Sequence, residues 1–332
     1  MRAWILDESP GGYRLGEIEE APLGPTDVRV RVVASALNHM DLWVTRALPR
    51  PPLPHIAGSD VAGVVASVGA DVTAVAVGDE VVVNPTVSPL DEVVALGNNS
   101  PLGRGMRIVG EHRWGGHAEY VTVPDRNVVA RPAGRSWTEC AAYPLAYATA
   151  YRMLRRARVA AGDDVLVVGV GSGVSCAAMA LSLHMGCRVA VTSRSNEKRA
   201  AAIAMGAHAA YDSGSERWPI EADVVVESVG PATWEQSVRA LRPGGRLVVC
   251  GGTSGNTVEL NLPRLFFKQI EIIGSTMASY EEFAQVTDLV AHGVPVHVDS
   301  TLPFANYSDA LKRLEHGQQL GKIVIDHGGV TS

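Results

Sequence analysis

The segment that most constrains the fold is an apolar run followed by a turn rich in glycine. The apolar run Val165–Val168 has the composition of a buried strand, and the turn Gly169–Ser175 opens a stretch of helical character. A strand that leads through glycines into a helix brings backbone amides to the positive helix end, where a pyrophosphate binds. The match to G-x-G-x-x-G is not strict, because its third glycine would fall at Val174. The sequence predicts a dinucleotide site formed by Gly169, Gly171, Ser172, Gly173 and Val174.

The end of the next predicted strand indicates which dinucleotide binds. A carboxylate there would bind the adenosine ribose 2′-hydroxyl of NAD. The chain instead has Ser193 and Arg194, whose hydroxyl and guanidinium suit a 2′-phosphate. We therefore predict NADP, in its reduced form NADPH, with Lys198 as a further ligand. The alternative is a solvated loop in which Arg194 binds nothing.

Two later loops have the same location at the end of a predicted strand. They are Glu227-Ser228-Val229-Gly230 and Cys250-Gly251-Gly252-Thr253. Parallel sheets bind ligands at the carboxyl edge of their strands, so we predict cofactor contacts from Val229, Gly251 and Ser275. Each loop taken singly could also be an ordinary turn.

Composition and charge exclude several classes of function. The 332 residues suffice for two domains, and the formal net charge of -6 provides no basic field for nucleic acid. The stretch Val165–Cys187 lacks Asp, Glu, Lys and Arg, but its glycines and serines favour a strand, a turn and a buried helix over a membrane span. The four cysteines lie far apart, as in proteins with reduced thiols, and no secretory signal is visible. We expect a cytoplasmic protein that binds a small molecule.

The order of patterns along the chain predicts an inserted domain. Short β-branched runs extend to about Pro124, and helical runs alternate with short apolar strands from Thr138. This alternation predicts a parallel sheet with right-handed crossovers. Strand-like segments return from about Val296, with a helix near Tyr307–Glu315 and a final strand at Lys322–Ile325. We predict an α/β protein whose doubly wound parallel domain, residues 126–275, is inserted into a β-rich, partly closed domain, residues 1–125 and 276–332.

A series of short motifs, in this order, resembles the medium-chain dehydrogenase/reductase superfamily over nearly the whole chain. The motifs are Ala36–Asp41, His55–Gly63, Val77–Val81, Leu241–Gly245 and Gly321–Val324. The resemblance implies a Rossmann cofactor domain inserted into a GroES-like catalytic domain. It also implies a homodimer or larger homo-oligomer, joined through an edge strand within Ile270–Ser275.

The resemblance predicts that the zinc ions of related alcohol dehydrogenases are absent. At the three positions that hold the catalytic metal, this chain has Asn38, Ser59 and Leu145, which are not credible zinc ligands. Met40 replaces the hydroxyl-bearing residue of the proton relay. The four cysteine positions of a second, structural zinc are occupied by Pro89, Glu92, Ala95 and Gly103. We expect a lobe that has lost its zinc ion. It is either ordered by the packing of its apolar residues or flexible.

Metal-free branches of the superfamily suggest a mechanism. They include quinone oxidoreductases and 2-alkenal or enoyl reductases, which move a hydride from NADPH to a conjugated acceptor. Because such an acceptor spreads the developing charge onto its oxygen, hydrogen-bond donors can replace a metal there. Asn38 is the candidate donor, although its amide could instead only brace its loop.

Four further residues are candidates by their place in these motifs. Thr149 resembles the family's threonine under the nicotinamide, and Lys322 is a candidate cofactor ligand. His39 falls where the family often has a basic residue over the pyrophosphate, and it could act as a catalytic acid. Asp41 could orient a water, but a carboxylate before a helix more often caps it.

The sequence leaves other functions open. A pathway-specific reductase of one enoyl thioester or ketone would carry the same motifs, and the fold also permits a non-catalytic NADPH-binding interaction protein. The basic run Arg152, Arg155, Arg156 and Arg158 could attract the phosphates of a CoA thioester or form a solvated helix end.

Overall fold

The computed structural model describes residues 1–328, which divide into two compact units. The first unit comprises Met1–Leu145 and the chain from Ala278, and the second comprises Ala146–Met277. The first division therefore lies at 145/146 rather than at the predicted 125/126. The reason is the helix Trp137–Ala142, whose buried face packs against strands of the first unit. Among the helices of residues 1–328, none combines the length and the apolar composition that a membrane span requires.

The elements follow one another in an order that separates a β-rich first part from an alternating middle part. The strands are β1 (Arg2–Leu6), β2 (Tyr13–Glu17), β3 (Asp27–Ala36), β4 (Asp60–Val68), β5 (Glu80–Val83), β6 (Thr86–Val87), β7 (Arg107–Ile108), β8 (Tyr120–Pro124), β9 (Val128–Ala130), β10 (Asp164–Val167), β11 (Arg188–Ser193), β12 (Ala209–Asp212), β13 (Ala222–Glu227), β14 (Leu241–Val249), β15 (Glu271–Gly274), β16 (Val298–Pro303) and β17 (Lys322–Asp326). The α-helices are α1 (His39–Trp43), α2 (Leu90–Leu96), α3 (Trp137–Ala142), α4 (Pro144–Arg156), α5 (Gly173–His184), α6 (Asn196–Ala204), α7 (Trp234–Arg239), α8 (Leu262–Lys268), α9 (Tyr280–Ala291) and α10 (Tyr307–Glu315).

The second unit is built on a six-stranded parallel sheet with the order β12-β11-β10-β13-β14-β15. The chain runs outward from β10 to β12 and then returns to β13, so the strand order reverses between β10 and β13. Ligands of such sheets bind at this reversal, beyond the carboxyl ends of the strands. The predicted doubly wound sheet is confirmed, although β12 was not predicted, because Ala209–Asp212 is short and only half-buried.

The core of the second unit explains why its strands appear as unbroken apolar runs. Leu166, Val225 and Leu247 are buried in the sheet, and Trp218 and Trp234 pack against the same cluster. Helices α5 and α6 contact β11, and α7 contacts β13 and β14. A sheet covered by helices on both faces has no polar face, which favours continuous rather than alternating apolar residues.

The first unit contains a seven-stranded, mostly antiparallel sheet, which agrees with the predicted β-rich, GroES-like domain. Its order is β16-β17-β3-β4-β5-β9, and β8 also pairs with β3. Val28, Val30 and Val32 alternate along β3 and are buried in its core. Strand β17 runs antiparallel to the end of β3, with Val324 opposite Ala36. This pairing brings Lys322, the first residue of β17, beside the residues that follow β3.

The lobe that resembles a structural zinc site is ordered by hydrogen bonds in place of metal ligands. Glu92 on α2 accepts a hydrogen bond from the backbone amide of Gly105, with its two oxygens at 2.9 and 3.1 Å. Asn98 accepts from the Ser279 hydroxyl at 2.7 Å and donates to Glu281 at 2.5 Å. The apolar residue Val94, by contrast, is 78% exposed. Carboxylate and amide side chains therefore connect this lobe to the start of α9.

Candidate functional site

The glycine-rich turn has a backbone that only glycine adopts without strain. Gly169 has φ +72°, and a Cβ there would lie 2.7 Å from the Val229 side chain. The Gly169 amide donates to the Thr192 hydroxyl at 3.0 Å, and the Val170 amide donates to the Thr192 carbonyl at 2.7 Å. Thr192, at the end of β11, thus fixes the turn from the neighbouring strand. This role of Thr192 cannot be inferred from local sequence, because only the parallel pairing of β10 and β11 brings Thr192 to the turn.

The helix after the turn begins with a hydroxyl cap. The Ser172 hydroxyl accepts from the Ser175 amide at 3.1 Å, and the Ser175 hydroxyl donates to the Gly169 carbonyl at 3.1 Å. The first amides of a helix have no partners within the helix, and they carry the positive end of its dipole. The start of α5 therefore has the donors and the charge that a pyrophosphate requires.

The loop after β11 presents the residues predicted to select NADP. Ser193 is buried, and its hydroxyl accepts from the Ser195 amide at 3.3 Å. Arg194 is exposed and has no hydrogen-bond or ion-pair partner within residues 1–328. Arg199, for which no role was predicted, donates to the Ser193 carbonyl at 2.5 Å and lies 3.7 Å from the Asp212 carboxylate. The loop is thus fixed by Arg199, while Arg194 is available to an anion. Lys198 is half-buried on α6.

A buried carboxylate holds the loop after β13. Glu227 is fully buried and accepts hydrogen bonds from the backbone amides of Val229 at 2.6 Å and Gly230 at 3.0 Å. Its other oxygen accepts from the hydroxyls of Thr233 at 3.0 Å and Ser237 at 2.5 Å. All four donors follow Glu227 closely in the chain, so they belong to one short segment of the sequence. Their convergence depends on the turn between β13 and α7.

The predicted contacts of the last two loops lie at the same edge of the sheet. The Ser254 amide donates to the Val229 carbonyl at 2.8 Å, which ties the loop after β14 to the loop after β13. The nearest atom to a Cβ added at Gly251 is 4.0 Å away, so the backbone there is open to a ligand. The hydroxyl oxygens of Thr149 and Ser275 are buried without a hydrogen-bond partner in residues 1–328. Buried polar atoms are normally paired, so these hydroxyls fit a site completed by a polar ligand such as NADP.

In the first unit, Asn38 belongs to a buried network with a cation and an anion. The Lys322 ammonium donates at 2.6 Å to each of three oxygens, on Asn38, Asp60 and the Leu37 backbone. The Asn38 amide nitrogen donates to the Asp60 carboxylate at 2.8 Å, and the Leu145 backbone amide donates to its other oxygen at 2.6 Å. Lys322 and Asp60 are almost completely buried, and Asn38 is half-buried. The amide of Asn38 is therefore held in one orientation.

Asp41 has the contacts of a structural carboxylate. It is fully buried and accepts from the backbone amides of Asn38 at 2.7 Å and Gly58 at 3.1 Å. The His117 imidazole lies 3.4 Å from it. These bonds cap α1 and fix the backbone that carries Asn38, which is the capping role described for Asp41 above.

His39 is half-buried beside the same network. Burial, and then the charge of Lys322, lower the pKa of His39. The imidazole is therefore neutral near pH 7, which makes it a weak proton donor but leaves it able to form hydrogen bonds.

The residues at the vacated metal positions do not fit a zinc ion. Asn38 is engaged by Lys322 and Asp60, and Leu145 contributes only its backbone amide. The Ser59 hydroxyl is buried and has no hydrogen-bond partner in the described chain. Across residues 1–328, no three His, Cys, Asp or Glu side chains converge as a metal site. Zinc prefers thiolate, imidazole and carboxylate ligands, so we assign no step of the chemistry to a metal.

Comparison with known proteins identifies both parts of the chain. Residues 24–133 match the model of the alcohol dehydrogenase GroES-like domain, and residues 173–292 match that of the zinc-binding dehydrogenases. A 2-methylene-furan-3-one reductase of Solanum lycopersicum is 32% identical over 342 residues, which span 98% of this chain and 79% of the relative.

Solved structures cover the chain almost completely. The structure of an NAD-dependent alcohol dehydrogenase superposes with a TM-score of 0.92 at 36% identity, covering 99% of this chain and 100% of that one. The 2-octenoyl-CoA carboxylase reductase, solved with NADP and 2-octenoyl-CoA, gives a TM-score of 0.89 at 29% identity, covering 95% and 82% of the two chains.

Proposed function

Because the chain belongs to the medium-chain dehydrogenase/reductase superfamily, we propose that it is a metal-independent, NADPH-dependent reductase of conjugated carbonyl compounds. The acceptors are α,β-unsaturated carbonyls and quinones. The observation that carries the proposal is the oriented amide of Asn38, held by Lys322 and Asp60 at a position where zinc relatives hold their metal. The names of two relatives, a 2-methylene-furan-3-one reductase and a 2-octenoyl-CoA carboxylase reductase, support acceptors of this class.

The mechanism assigns separate tasks to the two units. NADPH, when bound, supplies the hydride. The amides at the start of α5 and the loops fixed by Thr192 and Glu227 hold the dinucleotide, and Thr149 offers its unpaired hydroxyl to the nicotinamide end. Asn38 has one amide hydrogen that neither Lys322 nor Asp60 uses. This hydrogen donates to the acceptor oxygen as negative charge develops on it, and such a donor stabilises the transition state more than the ground state.

We propose more specific roles for His39 and Lys322. The lowered pKa of His39 disfavours the charged imidazolium, so we assign it to hydrogen bonding near the substrate or cofactor rather than to proton delivery. Lys322 uses its three ammonium hydrogens within its own unit and has none left for a cofactor phosphate. We therefore reassign Lys322 from the cofactor to Asn38.

Replacement of Arg194 tests the cofactor part of the proposal. We expect Arg194→Ala to raise the Kd for NADPH about 10- to 100-fold, because a charge-assisted hydrogen bond contributes about 1.5–3 kcal/mol. The Kd for NADH should stay unchanged, since only NADPH carries the 2′-phosphate. Arg217→Ala, which removes another exposed arginine of the same unit, is the matched control. The measurement is fluorescence titration of both cofactors, and an equal loss for NADPH and NADH would contradict the assignment of Arg194.

The reaction class is tested by the absorbance of NADPH in the presence of several acceptors. An ortho-quinone, a 2-alkenal, an enoyl thioester and a saturated ketone are offered in parallel, and the zinc content of the enzyme is measured. We expect NADPH consumption with the conjugated acceptors, none with the ketone, and no stoichiometric zinc. Tight NADPH binding without turnover of any acceptor would instead favour the non-catalytic interaction protein.

We also propose a cytoplasmic homodimer joined through β15. This strand ends the parallel sheet, and Ile272 on it and Phe267 on the adjacent α8 are 36% and 80% exposed. Pairing with a second β15 would satisfy the open strand edge and cover this apolar surface. The four free cysteines fit a reducing compartment. Sedimentation analysis distinguishes the dimer from a monomer, and cell fractionation tests the location.

A further inference from the structure

The environment of Lys322 is unusual because a buried cation has been placed against a neutral amide. Its ammonium lies 2.6 Å from the Asn38 side-chain oxygen and 2.6 Å from the Asp60 carboxylate, and its side chain is 3% exposed. Asp60 alone would neutralise the charge of Lys322. The additional contact with Asn38 is therefore not needed to neutralise Lys322, and its effect is on the Asn38 amide.

The first consequence concerns orientation. An ammonium only donates hydrogen bonds, so the Asn38 oxygen must face Lys322 and its nitrogen must face away. The nitrogen in turn donates to Asp60 at 2.8 Å. With both ends of the amide fixed, the remaining N–H has a single direction. An amide without these partners could rotate by half a turn and present its oxygen to the acceptor, which would repel the developing negative charge.

The second consequence concerns the strength of the remaining donor. A positive charge at the carbonyl oxygen withdraws electron density from the amide nitrogen and makes its N–H groups more acidic. Hydrogen bonds in such a chain strengthen one another, and the effect is larger in a buried, low-dielectric environment. The Leu145 backbone amide donates to the other oxygen of Asp60 at 2.6 Å, so both carboxylate oxygens of Asp60 have hydrogen-bond partners.

We propose that Lys322 is a positioning residue that orients and polarises the Asn38 amide, so that a fixed cation acts on the substrate oxygen through that amide. This inference rests on the proposed function, because it assumes that Asn38 donates to the acceptor. Two positions that hold the metal in zinc relatives, Asn38 and Leu145, here both hydrogen-bond to Asp60. The Asn38 amide is thus held at this location by Lys322 at its oxygen and by Asp60 at its nitrogen, and a conjugated acceptor needs only a polarised donor there.

The kinetic test compares Lys322→Met with Lys322→Arg. We expect Lys322→Met to lower kcat about 10- to 100-fold, since misorientation of one reacting group costs about that factor. The Kd for NADPH and the KM for the acceptor should change less than about twofold, and Lys322→Arg should recover part of kcat because it retains the charge. Lys268→Met is the matched control, because the Lys268 ammonium also donates to a backbone carbonyl, that of Leu241 at 2.6 Å, but has no hydrogen bond to a side-chain amide within residues 1–328. A parallel loss of NADPH affinity in Lys322→Met would overturn the inference and return Lys322 to the cofactor.

A spectroscopic test is independent of turnover. In protein labelled with ¹⁵N-asparagine, we expect the Asn38 side-chain NH₂ resonance, assigned with Asn38→Asp, to shift upfield in Lys322→Met and not in Lys268→Met. If loss of the cation unfolds the chain, Asp60→Asn combined with Lys322→Met removes both charges and leaves no unpaired buried carboxylate. An unchanged resonance would overturn the inference. If the wild-type enzyme reduces no acceptor, but the Asn38 resonance still shifts in Lys322→Met, the proposed function is overturned. The inference that Lys322 polarises the Asn38 amide would then still stand.

Discussion

Asn38→Ala is expected to lower kcat with a conjugated acceptor by about 10²–10³-fold. The reason is that loss of one preorganised donor to a developing oxyanion costs about this factor. Affinity for NADPH should be unchanged, because the assigned cofactor contacts belong to the second unit and Asn38 belongs to the first. Steady-state kinetics with a 2-alkenal and fluorescence titration of NADPH separate the two effects.

Ser59→Ala provides the control for Asn38→Ala. Ser59 stands at a second vacated metal position and is buried, but its hydroxyl has no hydrogen bond to lose within the described chain. We expect nearly wild-type kcat for this variant. Asn38→Asp adds a conservative test, because it retains the shape of the side chain and removes the N–H donor. If Asn38→Ala and Ser59→Ala had equal kinetic effects, or if kcat survived in Asn38→Asp, Asn38 would only brace its loop.

The parts of the fold that follow from local patterns could be predicted from the sequence. The run Val165–Val168 and its glycine turn predicted β10 and the start of α5, and the helix Tyr307–Glu315 lies where it was expected. These patterns extend over a few residues, so they persist whatever surrounds them. Strand β2, in contrast, was not predicted, because its partly exposed residues lack an apolar alternation.

The network around Asn38 could not be predicted, because it depends on distant residues. Lys322 lies 284 positions from Asn38 and 262 from Asp60. The three meet because β3 pairs antiparallel with β17, which carries Lys322, and with β4, which begins at Asp60. A lysine in a short motif is consistent with a cofactor ligand, which is the role predicted for Lys322 from the sequence. Its role as a cofactor ligand or as a partner of Asn38 depends on whether its ammonium has a hydrogen left to donate, and the residue type does not show this. The same reasoning applies to Arg194 and Arg199, of which only Arg194 is free for a ligand.

Glu227→Ala is expected to lower the free energy of unfolding by about 4 kcal/mol. This substitution leaves the amides of Val229 and Gly230 and the hydroxyls of Thr233 and Ser237 without their acceptor. Each buried donor that loses its partner costs about 1–3 kcal/mol, although a hydroxyl can find another acceptor by rotation. Urea unfolding gives the stability, and NADPH titration should also show weaker binding, because Val229 belongs to the proposed cofactor loop.

Glu227→Gln separates the hydrogen bonds of Glu227 from its charge. The glutamine oxygen can accept from the amides of Val229 and Gly230, and its NH₂ group can donate to Thr233 and Ser237, whose hydroxyls rotate to accept. All the contacts can therefore survive without the negative charge, and we expect a loss of stability of about 1 kcal/mol. Burial, and then the charge of Glu227, raise the pKa of the nearby Cys250 thiol to about 12. Glu227→Gln should consequently lower that pKa, so the alkylation rate of Cys250 at high pH reports the charge. Equal destabilisation by Ala and Gln would mean that the charge itself holds the loop, since the glutamine can replace every hydrogen bond but not the charge.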